Sequence, residues 1–258
     1  MDIQLNNRVA LVTGAGEGIG HGCALALAAA GADVIVNDIN AEKGRATAAE
    51  IQKMGRRSLF VQADVSSADA VQAMFETVQR EFGVLHVLLN NAGFNLFKNL
   101  EQTSLEEWER VMSVDLRGIY LVTRAMLPLL KAAGGASVVN IASVHAQATV
   151  ADITAYAAAK GGVVSMGRSL AQELGKYGIR VNTISPGFIS TPLLDRWFTS
   201  EPDPQATLNR VVGFHPLGRI GTPQDIGNMV VFLASDYAGF VSGTNITIDG
   251  GLTARLMH

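Results

Sequence analysis

The chain of 258 residues has one cysteine, Cys23, so it can form no internal disulfide, and its thiol content suits a reducing, cytoplasmic setting. Nowhere do 18 apolar residues run together. The longest candidate, Cys23 to Ala32, stops at Asp33, well short of the ~20 residues that a bilayer requires, so no membrane span is expected. The segment Met1 to Asn7 lacks the basic flank and apolar stretch of a secretory leader. Charged residues are scarce at 17% and nearly balanced, with a net charge of −3. That leaves no basic footprint for nucleic acid. His21, His86, His145, His215 and His258 are scattered without ligand spacing, and with no cysteine pair they offer no metal set.

What is abundant is apolar, at 48% of residues, which excludes disorder and suits a sheet covered on both faces. Short β-branched runs alternate with helical stretches along the whole length. Residues 8–13, 33–37, 58–62, 87–90, 137–141, 181–185 and 245–248 read as strands, and their near-continuous apolar character predicts parallel strands buried on both sides. Ser104-Leu105-Glu106-Glu107 is a capping box that opens a helix to about Ala133. Thr222-Pro223-Gln224-Asp225 opens another. Such alternation predicts one α/β domain over residues 1–258, a doubly wound parallel sheet of about seven strands with right-handed crossovers. Residues 188–218 break the rhythm. They are long, mixed and proline-rich and follow the carboxyl end of a strand, where such sheets bind ligands, so they read as a substrate lid.

The first strand runs straight into Gly14-Ala15-Gly16-Glu17-Gly18-Ile19-Gly20 and then a helix. Four glycines in seven positions allow a tight turn and close approach of backbone to a pyrophosphate, while the helix N-terminus offers unpaired N–H groups. Placed in a βαβ unit, this turn predicts a dinucleotide site. Asp38, at the end of the second strand, is placed to accept from both ribose hydroxyls. With Glu17 it puts two carboxylates where a 2′-phosphate of about −2 charge would lie, so the expected cofactor is NAD.

Ser143, Tyr156 and Lys160 form an S-x12-Y-x3-K pattern, with Tyr156 and Lys160 sharing one face of a helix. A phenol ordinarily titrates near pH ~10, and an adjacent ammonium lowers that value. Tyr156 is then expected to exchange a proton with a substrate oxygen that Ser143 orients by hydrogen bonding.

With these motifs, the chain resembles the short-chain dehydrogenase/reductase family from Arg8 to Leu252. The resemblance also rests on Asn90-Asn91-Ala92-Gly93, Pro186-Gly187 with Thr191, and Asp249-Gly250-Gly251. It implies that Asp64 and Val65 contact the adenine and that Asn91, Ala92 and Gly93 line the cofactor cleft. It likewise implies that Pro186, Gly187, Ile189 and Thr191 face the nicotinamide, that Lys160 contacts its ribose, and that the chain assembles as a homotetramer or homodimer. The helix carrying Tyr156 would then supply an interface through Val163, Val164, Met166 and Leu170. One position departs from the family, which usually has Asn in V-N-L-x-G, supporting a water that links the lysine to solvent. Here the run is Val114-Asp115-Leu116-Arg117-Gly118. Asp115 is either protonated and equivalent to that Asn, or ionised and partly neutralising Lys160.

Substrate contacts are expected from Asn95, Phe97, Val144, His145, Phe188, Leu193, Leu194 and Trp197. Ser143-Val144-His145 resembles the run in some sugar dehydrogenases of the family, and imidazole both donates and accepts toward hydroxyls. A sugar or polyol is therefore the first expected substrate, oxidised from secondary alcohol to ketone or from hemiacetal to lactone. The apolar lid residues keep a steroid or other cyclic alcohol open. An acyl-carrier-protein reductase is disfavoured, since that role usually employs NADPH and a basic docking surface. A non-catalytic NAD-binding sensor is the remaining alternative, and it would have no need of Tyr156 and Lys160 together.

Overall fold

Seven parallel strands form one sheet in the order β3-β2-β1-β4-β5-β6-β7 in the computed structural model, which describes residues 3–255. Met1, Asp2 and His258 lie outside the described residues. The strands are β1 (Val9–Thr13), β2 (Asp33–Asp38), β3 (Ser58–Gln62), β4 (Val87–Asn90), β5 (Ala136–Ile141), β6 (Ile179–Pro186) and β7 (Asn245–Ile248). The chain crosses between them through α1 (Gly18–Ala29), α2 (Ala41–Lys53), α3 (Ala68–Glu81), α4 (Leu105–Met112), α5 (Gly118–Ala132) and α6 (Thr154–Leu174). Beyond β6 come α7 (Pro192–Ser200), α8 (Pro204–Gly213) and α9 (Pro223–Ala234).

Alternation along each strand divides the core into two layers. Val12, Val36, Leu89, Val139 and Ile184 pack with Leu27 of α1 and Ile226 and Val230 of α9. Their neighbours Leu11, Ile35, Leu88, Val138 and Val181 pack against Met74 of α3, Met126 of α5 and Leu174 of α6. Both faces are apolar because both are covered, which is why the strands read as continuous runs rather than alternating ones. The strand order reverses between β1 and β4. There the connections leave in opposite directions and open a crevice at the carboxyl edge.

Two anticipated caps are present as reciprocal boxes, Ser104 with Glu107 and Thr222 with Asp225. The helix expected to run unbroken to about Ala133 is instead interrupted by a π-helical turn at Ser113–Arg117, which separates α4 from α5 and carries Asp115. The lid segment contains two short helices, α7 and α8, each with proline in its first turn. Val163 and Val164 are buried within the chain's own core, beside Ile119 and Ala142, so their apolar character is accounted for without a partner subunit.

Candidate active site

The turn from β1 into α1 lies in the crevice. Gly14 has φ +62°, and a Cβ there would sit 2.8 Å from the Ala92 Cα. A Cβ on Gly20 would fall 2.1 Å from the Gly14 carbonyl oxygen, so any side chain would force the turn apart. Glu17 precedes α1 in extended conformation and makes no side-chain cap, which leaves the first-turn amides of Gly18, Ile19 and Gly20 without a capping side chain. This is the cradle a pyrophosphate requires. Thr13 braces its far wall: its hydroxyl accepts from the Asn91 amide at 3.0 Å and the Ala92 amide at 3.1 Å. The Asn91 side chain donates to the Thr13 and Gly14 carbonyls, at 3.0 Å each. Asn91 thus shapes the turn from behind.

Asp38 ends β2 beside this turn. Its Oδ2 accepts from the Gly16 amide at 2.8 Å and its Oδ1 from the Asn40 amide at 2.8 Å, which fixes the carboxylate against the turn. Glu17 is not a free second anion. It is ion-paired with Lys43 of α2 and with Arg196 of α7, and the Lys43 hydrogen bond chiefly holds its carboxyl below the usual range. The expectation of two bare carboxylates is corrected to one, Asp38, beside a neutralised Glu17. Val65 shares one narrow crevice with Thr13 and Ala92, while the Asp64 carboxylate accepts from the Ser66 amide and hydroxyl at 2.8 and 2.7 Å.

At the end expected to take the nicotinamide, the Gly187 amide donates to the Ile248 carbonyl at 3.0 Å, which joins the chain after Pro186 to β7. Ile189 is buried and bridged to Gly221. Thr191 caps α7, accepting from the Leu194 amide at 3.3 Å, and faces the phosphate turn: a Cβ on Gly18 would meet its methyl at 3.3 Å.

Ser143 follows β5, buried, with its hydroxyl accepting from the His145 amide at 3.2 Å. Tyr156 and Lys160 stand one turn apart on α6, the ammonium 5.4 Å from the phenol ring centre. Lys160 is buried, donates to the Ile141 carbonyl at 3.2 Å and lies 3.1 Å from Asp115 Oδ2. Burial opposes its ammonium, but Asp115 and Tyr156 more than offset that and raise its pKa. Tyr156 does not show the expected lowering. Burial pushes its phenol above the ordinary value, the Lys160 charge pulls it back only in part, and the Asp115 carboxylate adds to the rise.

The structure brings the expected substrate residues together unevenly. Phe188 stacks on Trp197 with ring centres 6.2 Å apart at 18°, and Trp197 leans on Phe198 at 5.1 Å. His145 meets Tyr156 edge-on at 6.0 Å, and its Nδ1 pairs with the Thr149 hydroxyl at 3.0 Å. Burial lowers the His145 pKa, which favours the neutral ring. Val144 is buried and Leu194 half-buried. Asn95 is half-buried on the segment between β4 and α4, while Phe97 and Leu193 are exposed.

Two residues, His215 and Asn140, were given no place at the site from sequence, and Asn90 was named only within its motif. His215 packs edge-on against Phe188 at 5.8 Å and is buried at the base of the lid. Asn90 donates to Thr123 at 3.0 Å and to Asn140 at 2.8 Å, pinning β4, β5 and α5 together beneath the site. Polar side chains inside otherwise apolar strands were the available signal for Asn90 and Asn140. Among the described residues no group of acids, histidines and cysteine could hold a metal, and no helix is long and apolar enough to cross a membrane.

A family model described as Enoyl-(Acyl carrier protein) reductase matches residues 14–253. The chain is 37% identical over 256 residues to a cyclohexanol dehydrogenase of Acinetobacter sp. (strain SE19), covering 99% of this chain and 98% of that protein. It is 40% identical over 253 residues to a trans-4-hydroxycyclohexanecarboxylate dehydrogenase of Sinomonas cyclohexanicum, covering 96% and 93%. Among solved structures, a gluconate 5-dehydrogenase from Burkholderia cenocepacia J2315 in complex with NADP and tartrate superposes with a TM-score of 0.92 at 31% identity, covering 99% and 98%.

Proposed function

The chain belongs to the short-chain dehydrogenase/reductase family, and from that premise we propose that it is an NAD-dependent dehydrogenase of a cyclic, largely apolar secondary alcohol. The observation that carries the reading is the aromatic stack of Phe188 and Trp197, which follows β6 at the same carboxyl edge of the sheet where Ser143 follows the neighbouring β5. Aromatic faces favour a ring of CH groups, and the stack's one hydrogen-bonding group is the Trp197 indole N–H. Two of the relatives act on cyclohexane alcohols, as their names state.

The residues fit a dinucleotide: the uncapped α1 N-terminus and the close-packed Gly14–Gly20 turn for the phosphates, and Asp38 for the adenosine ribose. Glu17, by engaging Lys43 and Arg196, leaves neither cation free for a 2′-phosphate, which supports NAD over NADP. The chemistry that a bound nicotinamide would supply is acceptance of the hydride from the substrate C–H bond. Tyr156 takes the hydroxyl proton through its phenolate, Ser143 orients the same oxygen, and Lys160 holds the positive charge that makes the phenolate accessible. The lid helices α7 and α8 exclude water from the reacting carbon.

The description attached to the family model concerns acyl carrier proteins. A net charge of −3 supplies no general attraction for an acidic carrier, so that reading is not adopted. A sugar or polyol, the first expectation from sequence, stays as the second reading because His145 lies edge-on to Tyr156. Assembly as a homotetramer or homodimer belongs to the same proposal, supported by fully exposed Phe240 and by Tyr237 beside it. The test is NAD reduction followed by absorbance with cyclohexanol, substituted cyclohexanols, sugar acids and polyols. Turnover led by the cyclohexanols is expected, and turnover led by polyols overturns the substrate assignment.

A further inference from the structure

Among the described residues, one ion pair has both side chains out of solvent. Lys160 and Asp115 are 4% and 0% exposed, with Nζ 3.1 Å from Oδ2. The ammonium is the one close partner of this buried carboxylate oxygen among the described residues. The other oxygen is committed elsewhere: Oδ1 accepts from the Phe94 amide at 3.1 Å. Asp115 lies in the π-helical turn between α4 and α5, a widened turn of the kind that re-aims a side chain and recurs at functional sites. Room for the pair depends on Gly93, where a Cβ would fall 2.7 Å from Asp115 Oδ2 and 3.2 Å from Lys160 Nζ.

The other charged groups on the elements packed around this pair are turned away. Arg110 of α4 lies over the Phe94 ring, and Glu107 of the same helix holds Lys98. Arg117 reaches the Ser66 carbonyl, while Arg124 of α5 and Arg168 of α6 are exposed. Tyr156 and Asp115 are therefore the two groups that share the lysine's charge, with His145 beyond the phenol ring. A buried cation so placed is held ionised by its carboxylate, and the same carboxylate disfavours a second anion beside it.

We propose that Asp115 is a positioning residue that grips the Phe94 amide and ion-pairs with Lys160, dividing the lysine's charge with Tyr156 and thereby setting the pH at which oxidation proceeds. The proposal rests on the assignment of Tyr156 as proton acceptor. Removing the carboxylate returns the full ammonium charge to the phenol, so Tyr156 ionises at lower pH and the rising limb of oxidation moves the same way. Lys160, left with Tyr156 alone to offset its burial, also loses its proton more readily, which adds a falling limb at high pH.

The experiment is an ultraviolet titration of the phenolate, taken as the difference between the protein and its Tyr156→Phe variant, with kcat/KM for alcohol oxidation measured against pH. The unaltered protein should show Tyr156 titrating above the ordinary ~10. In Asp115→Asn the titration and the rising limb should both fall by at least ~1 unit, a tenfold shift in the ionisation equilibrium. Asp115→Ser, which keeps an acceptor for the Phe94 amide without the charge, serves if the Asn variant does not fold. A Tyr156 titrating at or below ~10 in the unaltered protein overturns the proposal. So does a folded, NAD-binding charge-free variant with unmoved profiles, since a purely structural role would leave them in place. Full turnover by Tyr156→Phe would instead remove the functional assignment, while the optical titration would still report the coupling.

Discussion

Arg196 of the lid helix α7 reaches back to Glu17 in the phosphate turn, its Nη2 3.4 Å from the carboxylate Oε1. The two lie 179 residues apart in sequence. With Lys43 on the other Glu17 oxygen, this contact links the lid to the place where the cofactor's phosphates would rest. Under the proposed NAD assignment, Glu17 acts on cofactor choice by occupying two cations, a different mechanism from direct repulsion.

The unaltered protein should prefer NAD over NADP by at least ~100-fold in kcat/KM, about 2.7 kcal/mol. Glu17→Gln should release Lys43 and Arg196 toward a 2′-phosphate and improve the NADP value by at least ~10-fold, about 1.4 kcal/mol. Steady-state kinetics with both cofactors checks this, and equal use of the two by the unaltered protein would sink the assignment.

Tyr156→Phe should lower kcat by about 1000-fold while NAD affinity, read by fluorescence titration, stays nearly constant. Lys160→Ala should damage turnover and cofactor binding together. It should also destabilise the fold by roughly 3–5 kcal/mol, because Asp115 is left as an unpaired buried charge. A Lys160→Ala protein that melts like the parent would contradict that account.

Loss of the aromatic stack should appear in KM. Trp197→Ala is expected to raise KM for cyclohexanol by about 5-fold, from roughly 1 kcal/mol of lost ring contact with Phe188. His145→Ala should leave cyclohexanol nearly unaffected and penalise polyhydroxylated substrates by roughly 1–3 kcal/mol. An unchanged substrate ranking in both variants would remove Trp197 and His145 from the substrate pocket.

Asp225 gives a prediction about stability. It closes the cap of α9 and accepts a two-pronged contact from Arg219, at 2.7 and 2.9 Å. The Arg219 hydrogen bond chiefly depresses its pKa, so its stabilising contribution is fully present above the ordinary aspartate value of ~3.9. That contribution is lost as pH falls through the depressed value. Asp225→Ala should lower Tm by about 2 °C at neutral pH, the cost of a ~1 kcal/mol cap in a domain of this size. Calorimetry from neutral to strongly acid pH should show the difference closing below pH ~4. A gap that stays constant with pH would mean the carboxylate charge contributes nothing.

The sequence alone determined the seven strands, the glycine turn, the caps at Ser104 and Thr222, and the Ser143–Tyr156–Lys160 spacing. Each of these depends on rules acting over a few residues: side-chain periodicity, the steric freedom of glycine, and hydrogen bonds that close within one turn. Strand boundaries came out within two residues for the same reason, since a run buried on both faces is apolar throughout and is bounded by breakers. Only the tertiary structure decided the electrostatic surroundings of the site. Glu17 reads as a free anion until α2 and α7 bring Lys43 and Arg196 to it. Tyr156 reads as an activated phenol until burial and Asp115 raise its pKa, and the partner of Asp115 is not readable until the fold sets its Oδ2 3.1 Å from Lys160. The aromatic wall likewise exists only because the lid returns Trp197 to Phe188. Desolvation and Coulomb energy depend on separation in space and on exclusion of water, and neither is a function of position along the chain.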